Sequence, residues 1–208
     1  MKSIKTILAI AAIMLSFSSA QAFDWESLKK TVTNVAGEDA GNVIDNILKT
    51  DNLEVSDLEG TWKTSGPSVS FKSENVLEKA GGAAAASTIE NKLKPFYKKA
   101  GLENATFRFT KEGKLTITLK NGKKLTGSIK KGTKEGTMIL TLDKLKKLGK
   151  LTTYVSKGTS LSIMFDATKL MKLVSSIASY SGSSSLTSIT SLLNSYDGVY
   201  AGFKFDKE

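Results

Sequence analysis

From Ala105 to Phe165 the apolar residues keep a period of two, broken at short intervals by turn residues, and no other feature constrains the fold of this chain as tightly. Six segments carry the pattern: Ala105 to Thr110, Lys114 to Lys120, Lys123 to Lys130, Gly136 to Leu142, Leu151 to Ser156 and Thr159 to Phe165. Phe107/Phe109, Leu115/Ile117/Leu119, Leu125/Ile129, Met138/Leu140/Leu142 and Leu161/Ile163/Phe165 fall on one side, with Lys, Thr and Ser between most of them. A strand turns successive side chains to opposite faces, so each segment has a dry side and a wet side. Lys111-Glu112-Gly113, Asn121-Gly122 and Lys157-Gly158 mark tight turns, and Asn-Gly supplies the positive φ that a two-residue hairpin requires. An antiparallel meander of this kind must roll up or be capped to hide its dry face.

The first residues read as a targeting segment. Lys2 and Lys5 form a basic start, Ile7 to Leu15 is a short apolar run, and Ala20-Gln21-Ala22 has the small-residue pattern cut by a signal peptidase. The run is too short to span a bilayer comfortably. The expected mature chain starts at Phe23 and is exported to the periplasm or the extracellular space. Lys2 and Lys5 leave with the leader, so the net charge falls from +10 to +8. Apart from Arg108 the basic residues are all lysine. Export and the scarcity of Arg, the bidentate reader of guanine and phosphate, argue against a nucleic-acid partner. The charge suits a solvated surface with weak affinity for an anionic envelope component such as a glycan, a lipid or lipopolysaccharide.

Residues 23–52 form a predicted N-terminal helical segment. Asp24 can cap a helix whose stripe is Trp25, Leu28, Val32 and Val35, and Gly37 ends it; Val43, Ile44, Ile47 and Leu48 mark a second. Residues 53–208 form the predicted barrel domain, with helical insertions at 73–100 and 166–195. The first insertion holds Val76 and Leu77, then Gly81-Gly82, then a helix from Ala83 with Ile89, Leu93, Phe96 and Tyr97 on one face; Pro95 predicts a kink or a restart near Lys94. Asp166 caps the second, which bears Leu170, Leu173, Val174 and Ile177, and a shorter helix follows with Leu186, Ile189, Leu192 and Leu193. Asp197-Gly198 then turns into a last strand, Val199 to Phe205, placed to pair near the first strand and close the sheet.

Ser56 and Glu59 have capping-box spacing and lead straight into Gly60-Thr61-Trp62. A short turn followed by G-x-W at the start of an antiparallel barrel resembles the lipocalin signature. Gly60-Thr-Trp-Lys63, Gly66-Pro-Ser-Val-Ser-Phe-Lys-Ser73, Lys79-Ala-Gly-Gly82 and Leu193-Asn-Ser-Tyr-Asp-Gly-Val-Tyr-Ala-Gly-Phe203 look closer still to secreted lipocalin-like domains of unknown function from gut Gram-negative bacteria. The resemblance covers roughly Leu53 to the C-terminus. It implies a mainly β fold with helices: a lipocalin-like antiparallel up-and-down barrel of eight or nine strands, with helical insertions before the third strand and before the last. The chain departs from ordinary lipocalins in two respects. The last strand offers Lys204 where they carry an Arg that stacks across the Trp, and the helices interrupt the barrel instead of following it.

Catalytic chemistry has little to work with. There is no Cys and no His, which removes thiolate nucleophiles, zinc fingers and His-based triads, and no cofactor or metal is implied. Asp166 and Asp197 read as cap and turn residues, Ser156-Lys157 as a hairpin turn, and Gly81-Gly82 lacks the strand and the lysine of a phosphate loop. Three functions survive. A binding module, not an enzyme, would take a small apolar or amphipathic ligand into an open barrel lined by Trp62, Phe71, Phe107, Phe109, Ile117, Leu140, Ile163, Phe203 and Phe205. A structural or interaction protein of the cell envelope would have a filled barrel and an exposed apolar or basic patch. A carboxylate-dependent hydrolase, the least supported, would need two acids across a cleft. The strands are short and lysine-faced, which fits a water-soluble barrel with its dry face inward better than a membrane-spanning one.

Overall fold

A computed structural model describes residues 52–72, 83–158, 160–183 and 198–208. The expected leader, the helices predicted between Phe23 and Leu48, the one predicted with Val76 and Leu77, the one predicted with Leu186 to Leu193, and Asp197 lie outside the described residues.

A 3-10 turn, Val55–Leu58, leads into β1, Gly60–Phe71. Helix α1, Ala83–Lys99, comes next, followed by β2 (Thr106–Phe109), β3 (Lys114–Thr118), β4 (Lys124–Lys131) and β5 (Thr137–Leu142). A second 3-10 turn, Asp143–Leu148, precedes β6 (Leu151–Lys157) and β7 (Leu161–Asp166); then come α2 (Ala167–Ser181) and β8 (Val199–Lys207). The eight strands form one closed barrel in chain order, every neighbour antiparallel. Closure is made by β1 and β8, paired from Trp62 opposite Lys207 to Phe71 opposite Val199. The alternation in the sequence becomes the radial direction: Phe107, Phe109, Leu115, Ile117, Leu140, Ile163 and Phe203 are buried, while Arg108 and Lys204 are exposed.

The first helix enters before the second strand, not the third. Gly60–Phe71 is one continuous strand, and the Gly66-Pro67 pair, which punctuates a sequence like a turn, sits at a shift of register between Thr64 and Gly66. β2 is short and pairs with β1 only from Gly60 to Lys63. Along the rest of β1 the neighbour is α1, which packs against it. There the Val69 N–H, with no strand to receive it, donates to Glu90 Oε1 at 3.1 Å. Helix α1 runs on past Pro95 without a restart; Pro95 is exposed. α2 starts where the sequence places it, with Asp166 accepting from the N–H groups of Thr168 and Lys169, and ends at Gly182 in the left-handed region.

Up-and-down connectivity puts alternate connections at the same end. The β2–β3, β4–β5 and β6–β7 turns share one end with the first 3-10 turn; this end is the base. The β3–β4 hairpin, the second 3-10 turn and α2 share the other, the mouth.

Candidate functional site

The base is closed around Trp62. Its indole N–H donates to the Leu58 carbonyl at 2.8 Å, which ties the barrel wall to the 3-10 turn beneath it. Lys157 and Lys207 place their Nζ atoms 5.8 and 5.7 Å from the ring. The cation expected from the last strand is therefore Lys207 and not Lys204. Lys207 stands directly opposite Trp62, whereas Lys204 stands opposite Gly66 and points outward. Lys157 also donates to the Asp57 carbonyl at 2.6 Å, so its ammonium belongs to this closure and not to a Ser-Lys dyad.

The interior is packed around Phe203. Its ring lies 5.2 Å from Tyr97, 5.5 Å from Phe107, 5.9 Å from Phe205 and 6.1 Å from Phe165, and Phe107 meets Phe205 edge-on at 4.8 Å. Tyr97 reaches in from α1 and donates its hydroxyl to the Gly202 carbonyl at 2.7 Å. Burial, and secondarily the Glu90 charge, push its pKa well above the usual phenol value, so the hydroxyl stays a donor. The buried polar side chains among the described residues are threonines whose hydroxyls donate to carbonyls: Thr64 to Leu102 and Ala105, Thr137 to Lys134 and Thr153 to Met138.

α2 lies across the mouth. It leaves β7 at Asp166 and ends by β4, on the far side of the ring. There the Tyr180 hydroxyl donates to the Lys124 carbonyl at 2.9 Å and accepts from Lys144 Nζ at 3.3 Å. Lys123 Nζ donates to the Tyr180 carbonyl at 3.1 Å, and Asn121 Nδ2 to the Ser181 carbonyl at 3.2 Å. Leu173 and Ile177, on the inner face of α2, cover a cavity of about 10 Å³. That is room for one water, and a wholly apolar lining gives a water nothing to bond.

Six of the residues expected to line a ligand space do border this void: Phe107, Phe109, Ile117, Leu140, Ile163 and Phe203. Trp62, Phe71 and Phe205 are buried elsewhere in the core. Leu115 and Phe165 complete the lining from the sheet, and Leu173 and Ile177 complete it from the helix. Leu115 and Phe165 keep the period-two pattern and were legible there. That a helical stripe would reach the same void was not, because period says which face is apolar and not what it meets.

No group of three or more Asp or Glu able to hold a metal occurs among the described residues, and none of their helices is long and apolar enough to cross a membrane. Glu90 is the half-buried acid of α1. Burial raises its pKa above the usual carboxylate value, against the opposing pull of the Val69 N–H and the Lys204 and Lys94 charges. No curated protein and no solved structure matches the chain. The model of the family described as Lipocalin-like domain (DUF4923) matches residues 28–207, a span that includes every strand of the closed barrel. The chain belongs to this lipocalin-like domain family.

Proposed function

We propose that the chain is an exported, non-catalytic interaction module of the cell envelope, which works through its surface while the barrel serves as a solid scaffold. The observation that carries this reading is the interior. A site for a small molecule encloses about 300–1,000 Å³ and offers a few aimed polar groups, whereas the void that the described strands and α2 line is about 10 Å³ and apolar. A second reading, favoured by one feature, is uptake of a small apolar or amphipathic ligand after α2 lifts from the mouth: Leu173 and Ile177 are the lining residues that the sheet does not fix in place.

Native mass spectrometry of protein taken from its own host, followed by lipid extraction, separates the two. The scaffold reading expects the bare mass of a chain starting at Phe23. A co-purifying apolar molecule, retained by the folded protein and released on denaturation, establishes the second reading instead. The same spectrum reports export, since a mass that includes residues 1–22 contradicts cleavage after Ala22.

A further inference from the structure

The charge of the described residues is not spread evenly between the two ends of the barrel. At the base, lysines are interspersed with Glu54, Asp57, Glu59, Glu112, Asp206 and Glu208, and Lys131 pairs with Glu54. Towards the mouth the acids are Glu90, Glu103, Asp143 and Asp166, and each is engaged: Glu90 with the Val69 N–H at 3.1 Å, Glu103 with Lys120 at 2.8 Å, Asp143 with the Thr126 hydroxyl at 2.7 Å, and Asp166 with the first N–H groups of α2. Around them stand exposed lysines from separate elements: Lys99 on α1, Lys124 on β4, Lys146 and Lys147 on the second 3-10 turn, and Lys169 and Lys172 on α2. Lys146, Lys147, Lys169 and Lys172 have no ion-pair partner among the described residues. Leu145 and Leu148 are half-buried between the lysines of the 3-10 turn.

We infer that the mouth end, with the outer face of α2 at its centre, is a docking face for an anionic lipid bilayer. The inference rests on the interaction-module reading and names its partner. Ammonium groups on flexible stems are strongly hydrated point charges, suited to a diffuse layer of headgroup phosphates more than to one bidentate site. A face with several elements at one level meets a plane with many of its charges at once. Each lysine held close to an anionic leaflet strengthens partitioning roughly fivefold, and the attraction fades within a Debye length. The base, where acids offset lysines, offers no such gain.

The test is sedimentation of the full chain with phosphatidylcholine vesicles, with and without about one third phosphatidylglycerol, using two charge-matched variants. Lys146→Glu/Lys147→Glu/Lys172→Glu alters the mouth, and Lys111→Glu/Lys130→Glu/Lys134→Glu alters the base. All six side chains are exposed, and any contribution of the leader is common to the three proteins. The wild type and the base variant should bind the anionic vesicles and release them in high salt. The mouth variant should lose binding by at least about a hundredfold, since each change removes a lysine and adds a negative charge. Equal losses in the two variants, equal binding to neutral vesicles, or no vesicle binding at all would each overturn the inference. So would retention on heparin without vesicle binding, which assigns the face to a soluble polyanion. A vesicle failure with a bare native mass removes the partner and leaves the scaffold reading intact, whereas a retained apolar guest removes that reading.

Discussion

At the scale of single residues, two positions show what the packing tolerates. A Cβ on Gly202 would lie 1.9 Å from the Ile163 carbonyl oxygen and 2.7 Å from Met164 Cα, so β7 and β8 come together as they do because this residue has no side chain. Gly202→Ala should destabilise the barrel by more than about 3 kcal/mol, since rigid backbone must move, and urea denaturation measures it. Glu90 gives a pH signature. Its folded pKa is raised, so the folded state favours the protonated acid; the stabilisation is fully present below the ordinary value of 4.5 and is lost as pH rises through the folded value. Gln keeps the oxygen that accepts from Val69 N–H and does not ionise. Glu90→Gln should therefore gain stability relative to the wild type between about pH 4 and pH 7, read from denaturation midpoints at the two ends. A constant difference would mean that the Lys204 and Lys94 charges cancel the desolvation.

Elements were more legible in the sequence than their meetings. Each strand appears within a few residues of its expected place, because alternation and turn residues are local properties of the chain. The first strand is the exception. Gly66-Pro67 punctuates the sequence like a turn, yet the strand continues to Phe71, because a shift of register between Thr64 and Gly66 in the pairing with β8 absorbs the pair. α2 was legible from its cap to its stripe, but its role was not: that it spans the mouth follows from contacts between Tyr180 and elements more than thirty residues away. Tyr180→Phe removes the hydroxyl that joins α2 to Lys124 and Lys144 and keeps the ring. Amides of α2 should then exchange at least several-fold faster, with little change in the strands, as hydrogen exchange followed by mass spectrometry would show. Uniform acceleration across the molecule would mean that α2 opens only with global unfolding.

On the scale of the molecule, closure is the decisive event, because β8 pairs with β1 on one side and β7 on the other. A chain ending at Gly198 loses both pairings and strips Phe203 and Phe205 from the aromatic cluster. It should show no cooperative urea transition by circular dichroism, whereas the full chain should unfold in one sigmoidal step. The sequence by itself determined the strands and which side of each is dry, since a period of two assigns each side chain to a face before any partner is known. Only the tertiary structure decided what those faces enclose. Whether rings fill a barrel or line a hollow depends on volumes summed over eight strands and on the helix laid across the mouth. Which lysine stacks on Trp62 depends on the β1–β8 register, and the gathering of lysines at one end depends on connections that alternate between the ends. Distances across a closed sheet are set by how its strands meet, and no local pattern along one strand contains them.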